Sequence, residues 1–185
     1  MRRYLDTLYR VTLMLSALCL LAIAVLVGIQ LAFRLIDGAL ALVHLPRTDI
    51  QVLSLNEICG YLLATASFMG LAGTLKAGAH IRVTMVLAAF NEDARRYIEL
   101  FAFAFAACAS AYMTWHLAQF AWASFRFNEV STGVVRVPLA YPQATMAVGT
   151  LILTIALLDE LVTILKRGRP SFRVAEDAIT LGKEG

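Results

Sequence analysis

Three groups of polar residues stand in or beside long apolar runs, where such side chains carry proton, ion or ligand chemistry. Glu57 opens one run, His116 lies within another, and the adjacent pair Asp159 and Glu160 closes a third. An acidic residue at the edge of a membrane-depth run suggests ion coupling. The same residue also completes the series Ser54-Leu55-Asn56-Glu57, the spacing of a capping box, in which hydroxyl and carboxylate satisfy each other's terminal amides. Tyr112 precedes His116 by four residues and Gln119 follows it by three, so in a helix these side chains share a face with Cys108. A polar stripe of that kind should face protein, and its chemistry is hydrogen bonding between helices, proton relay or one axial ligand of a haem. A haem usually needs two facing histidines, and His44 and His80 both fall in connecting segments. Asp159 and Glu160 sit near the negative end of their helix and require a base from elsewhere, such as Lys76 or a partner chain.

Other chemistries find no residues to carry them. The cysteines, Cys19, Cys59 and Cys108, all lie in apolar runs with no CxxC pair, which argues against a quinone-linked disulfide oxidase with paired cysteines in its loops. We find no nucleophile–base pair, phosphate loop or HExxH-like ligand set, so the chain is expected to be no enzyme and to hold no cofactor or metal of its own.

The elements that position these residues follow from where charge is missing. No Asp, Glu, Lys or Arg occurs in Val11–Phe33, Ile58–Leu75, Leu100–Phe125 or Val137–Leu158. At about 1.5 Å per residue each run is long enough, as a helix, to cross a hydrocarbon layer of roughly 30 Å. Backbone polar groups in lipid must be paired internally, and no alternating ten-residue segments suggest a barrel. The hydrophobic content of 60% agrees. The expected fold is therefore an all-α membrane protein, one domain over 1–185, with spans at about 11–33, 56–76, 93–125 and 138–165. Met-Arg-Arg followed by an apolar run resembles a signal peptide, but a run this long reads as a retained first helix.

Lys and Arg resist translocation, so their distribution sets the orientation. Of the 16 such residues, only Arg34, Arg47, Arg126 and Arg136 fall on one side of the spans. Both termini are expected in the cytoplasm, with 168–185 as a cytoplasmic tail. The net charge of +3 comes from this asymmetry and gives no reason to invoke nucleic acid.

Between the spans, segments at about 35–46 and 81–90 are too short to cross but apolar enough to lie along the headgroups as interfacial helices. Asn91 is placed to cap the third span. Small residues four apart (Gly60 and Ala64, Ala66 and Gly70, Gly73 and Ala77) and the line Ala102, Ala106 and Ser110 predict close helix packing, whereas the bulky first span reads as lipid-facing. Trp115, Phe120, Trp122, Phe125, Phe127 and Tyr141 form an expected aromatic belt. Pro138 and Pro142 mark the entry to the fourth span.

The run from Glu57 through Phe68-Met69-Gly70 to Lys76-Ala77-Gly78-Ala79-His80-Ile81-Arg82-Val83, and the segment Val137-Pro138-Leu139-Ala140-Tyr141-Pro142 followed by Gly149, resemble the small, DctQ-type membrane subunit of tripartite ATP-independent periplasmic (TRAP) transporters. Thr84 and Ala140-Tyr141 depart from that pattern, where many members have an acidic residue and a Trp. The resemblance implies a non-enzymatic partner of a separate, larger membrane subunit in the bacterial inner membrane. That subunit would carry sodium and an organic acid delivered by a periplasmic binding protein. It also implies architectural roles for Glu57, His80, Arg82 and Pro138. An autonomous small channel or transporter, or a membrane anchor for a redox complex, are the alternative readings.

Overall fold

Four helices account for nearly all of the computed structural model, which describes residues 2–42, 46, 53–76 and 92–167. They are α1 (Arg2–Leu42), α2 (Leu55–Lys76), α3 (Glu92–Arg126) and α4 (Ala140–Arg167). Each is long and apolar enough to cross a membrane. The expected segment at 81–90, the cap at Asn91 and the tail at 168–185 lie outside the described residues.

The first expected interfacial segment is corrected by the structure. Its residues 35–42 do not form a separate element but continue α1 to Leu42, while 43–45 lie outside the described residues. Leu and Ala dominate that stretch and favour helix strongly enough that Asp37 and Gly38 do not end it. At 41 residues the helix is about 60 Å long, twice the thickness of a hydrocarbon layer. The fourth helix begins later than expected. Pro138 instead pairs with Val130 in an isolated antiparallel bridge, and Pro142 occupies the first turn of α4, where its missing N–H has no intrahelical role.

The helices form an open row rather than a closed bundle. The substantial contacts join α1 to α2, α2 to α4 and α4 to α3, leaving α1 and α3 at the two edges. The first turns of α1 and the last turns of α2 and α4 meet at one end, so α2 and α4 run parallel while α1 and α3 run against them.

Close approach sets this order. A methyl on Gly149 would lie 2.6 Å from the Phe68 carbonyl carbon and oxygen, so α4 crosses α2 against bare backbone. Along the α1–α2 seam, Cβ atoms on Gly70 and Gly73 would lie 3.1 Å from Ser16 and Leu13, and Ala66 is buried beside them. Van der Waals contact is the main attraction between helices in lipid, and these positions permit it. Gly60 has no neighbour within 4 Å and takes no part.

Hydroxyls stitch the same seams. Ser16 Oγ donates to the Ala66 carbonyl at 2.7 Å, and Thr65 and Thr145 lie 2.9 Å apart. Ser110 and Thr154 join α3 to α4 at 2.7 Å. The rest of the Ala102–Ala106 line does not pack tightly. It borders an apolar cleft of about 570 Å³ between α2, α3 and α4, with the buried Glu99 also in its wall.

Candidate functional site

Charge is concentrated at two ends of the row and hydrogen-bonding capacity on one edge. At the end where α1 starts, Lys76 closes α2 and places its ammonium 2.8 Å from Asp159 Oδ2 and 3.0 Å from Glu160 Oε1. Glu160 is 1% exposed. The Lys76 ammonium also sits 5.5 Å from the centre of the buried Tyr9 ring, so α1, α2 and α4 converge on one cation. A basic residue in the last turn of α2 complements its dipole and offsets the two carboxylates of α4. Because α4 continues to Arg167, Asp159 and Glu160 lie about two turns before its end and not at the expected negative terminus. Breaking a buried pair of this kind costs about 3–5 kcal/mol, because the remaining charge stays desolvated.

At the other end, the connection between α3 and α4 folds back over the start of α2. Ser124 to Glu129 close α3 with Asn128 in the left-handed region (φ 50°): Glu129 N–H donates to Ser124 O at 3.0 Å and Asn128 N–H to Phe125 O at 3.3 Å. This is a Schellman-type ending that leaves the chain reversed. The hairpin continues through Ser131 N–H donating to Val137 O (2.9 Å) and Leu139 N–H donating to Glu129 O (3.0 Å).

Glu57 receives this hairpin. Its Oε2 lies 3.2 Å from the Ser131 hydroxyl, and its carboxylate is pressed so closely on Gly133 that a Cβ there would overlap it. The expected capping box is not formed. Ser54 adopts φ 55°, which turns its hydroxyl away from the first amides of α2, and Ser54 Oγ accepts the Val135 N–H at 3.0 Å instead. Ser54 thus contributes its carbonyl to the amides of Glu57 and Ile58, and its side chain to the hairpin. Gln30, Arg34, Asn56 and Glu57 line a polar recess of about 350 Å³ beside it.

The polar stripe of α3 points away from the rest of the chain. His116 and Gln119 are exposed, Tyr112 is 69% exposed, and the rings of Tyr112 and His116 meet at a tilt of 59° with centroids 4.3 Å apart. Trp115, Trp122 and Tyr141 are exposed as well. His80 and Arg82 lie outside the described residues, and Pro138 sits in the hairpin. Among the described residues, no group of three His, Cys, Asp or Glu is placed to hold a metal ion. Sequence reasoning passed over Tyr9, Ser16, Ser131, Thr65, Thr145 and Thr154. The available signal was a hydroxyl at intervals of four or five along an apolar helix, as at Thr145, Thr150 and Thr154.

Among the described residues, both polar clusters tie helices and the hairpin together. A family model for tripartite ATP-independent periplasmic transporters, DctQ component, matches residues 47–167. The chain belongs to the DctQ family. The match takes in α2, the hairpin, α3 and α4, and begins after α1. Most of both polar clusters and the Gly149 crossing fall on this shared part, while α1 supplies Tyr9 to one cluster and Gln30 and Arg34 to the recess beside the other. A comparison with curated proteins finds no match. The protein is thus the small component of a TRAP transporter and, with four helices able to span, a multi-pass membrane protein.

Proposed function

We propose that this chain is the non-catalytic small permease subunit that braces a separate, large transport subunit. That partner carries out sodium-coupled uptake of an organic acid brought by a periplasmic binding protein. The observation that carries this reading is the open row of helices. A single layer held by its own small-residue seams offers broad surfaces to a neighbour, and its cleft is apolar, with no broken helix of the kind a solute path uses among the described residues. The distribution of Lys and Arg supports an inner-membrane orientation with both termini in the cytoplasm, which puts Lys76, Asp159 and Glu160 on the cytoplasmic side and Glu57 with its hairpin outside. The sodium site and the substrate site belong to the partner.

The test is to co-express the chain with a large TRAP membrane subunit from the same genome, purify through a tag on the small chain, and measure uptake in proteoliposomes. The expected result is a stable pair that transports only when the binding protein is added. Glu57→Ala or Arg82→Ala lowers complex yield or uptake and leaves substrate preference unchanged. Uptake by the small chain alone would favour an autonomous transporter, and a haem band in its spectrum a redox anchor. Either result, or a clean change of substrate preference in those variants, removes the scaffold reading.

A further inference from the structure

We infer that the outer edge of α3, marked by Phe101, Phe105, Tyr112, His116 and Gln119, is the surface on which the large membrane subunit seats. This inference rests on the scaffold reading above and adds to it which face is used. The five residues recur at intervals of three, four and seven, so they form one stripe along the helix. The opposite face of α3, with the buried Phe103, Ala107 and Ser110, is the one packed on α4. Phe101 and Phe105 are 74% and 69% exposed, which leaves the stripe open along more than four turns.

Depth makes this edge unsuited to lipid. His116 lies about one helical turn from the midpoint of the uncharged run Leu100–Phe125, and Gln119 about two turns. Acyl chains offer no hydrogen-bond partner to an imidazole or a carboxamide, and leaving either unsatisfied in hydrocarbon is costly. Neither side chain has a hydrogen-bond partner elsewhere in the described residues. The contrast is α1 at the other edge, which exposes Met14, Leu18, Leu21 and Val25 and has nothing there for a partner to satisfy. Lipid suits the α1 edge. The α3 edge calls for complementary hydrogen-bonding groups, so its occupant is a protein helix with polar side chains facing Tyr112, His116 and Gln119. The tilted contact between the Tyr112 and His116 rings already brings two of these groups together.

A photo-crosslinking residue introduced at Phe105 or Gln119, and separately at Leu18 or Val25, tests this in membranes containing both subunits. All four positions are exposed, so the chain should fold with the probe in place. Adducts with the large subunit are expected from the α3 positions and to be at least about tenfold weaker from α1. The triple variant Tyr112→Leu, His116→Leu, Gln119→Leu is expected to lower recovery of the large subunit roughly tenfold through the interhelical hydrogen bonds lost, with helix content unchanged. A complex that forms normally but crosslinks only through α1, or an α3 adduct with a second copy of this chain, overturns the assignment and spares the scaffold reading. Failure to recover any complex from the wild-type pair removes both.

Discussion

Gly149→Ala is the sharpest probe of how the row is held. The added methyl would stand 2.6 Å from the carbonyl carbon and oxygen of Phe68, about 1 Å inside the 3.5–4.0 Å optimum for such contacts. Those atoms are backbone in the middle of α2, so no rotamer change relieves the overlap and the two helices must part. One turn away, Thr65 and Thr145 are bonded at 2.9 Å, and a displacement near 1 Å takes them out of hydrogen-bonding range. Overpacking of this kind costs about 1–3 kcal/mol, and a lost interhelical hydrogen bond in a membrane protein averages roughly 0.6 kcal/mol. A loss of about 2–4 kcal/mol is therefore expected, read as a lower midpoint when the protein in mild micelles is titrated with dodecyl sulfate and followed by circular dichroism. Gly28→Ala and Gly60→Ala are the controls. At neither glycine does any atom lie within 4 Å of where the new methyl would stand, so each substitution should be neutral or stabilise by up to about 1 kcal/mol through helix propensity. Equal midpoints for Gly149→Ala and Gly28→Ala would refute the claim that the α2–α4 crossing depends on bare backbone.

Two further perturbations address the ends of the row. Lys76→Met withdraws the ammonium shared by Asp159 and the buried Glu160, and should cost about 3 kcal/mol in the same titration. Adding Asp159→Asn and Glu160→Gln should recover part of that loss, whereas an unchanged midpoint in Lys76→Met would show that the cluster does not hold α2 to α4. Gly133→Ala forces the Glu57 carboxylate off the hairpin and should speed proteolytic cutting between residues 128 and 138 several-fold. Combined with Glu57→Ala it should add little, since both changes break the same contact, and fully additive rates would argue against that contact.

Much of the architecture could be read from the chain, and the failures have specific causes. The four spans were legible because hydrocarbon excludes charge residue by residue, so a gap in Asp, Glu, Lys and Arg maps directly onto a helix. Residues 35–42 misled because Arg34 and Asp37 break the charge gap, yet neither those charges nor Gly38 ends a helix rich in Leu and Ala. Ser54 and Glu57 have the spacing of a capping box, but that pattern describes only local partners. A hairpin about 75 residues away offered both side chains different ones. Gly149 was visible as part of a pattern, while the reason for it, a carbonyl at 2.6 Å, was not.

The amino-acid sequence alone determined the number, order and approximate ends of the helices, since burial of a span in lipid depends on its own composition. It also marked the small residues that allow close approach. Only the tertiary structure decided which helices are neighbours: that α2 and α4 run side by side in parallel, that Lys76 meets two carboxylates more than eighty residues away, and that His116 and Gln119 look outward from an edge. Those outcomes turn on how closely two backbones can approach, a property of pairs of helices that no single segment contains.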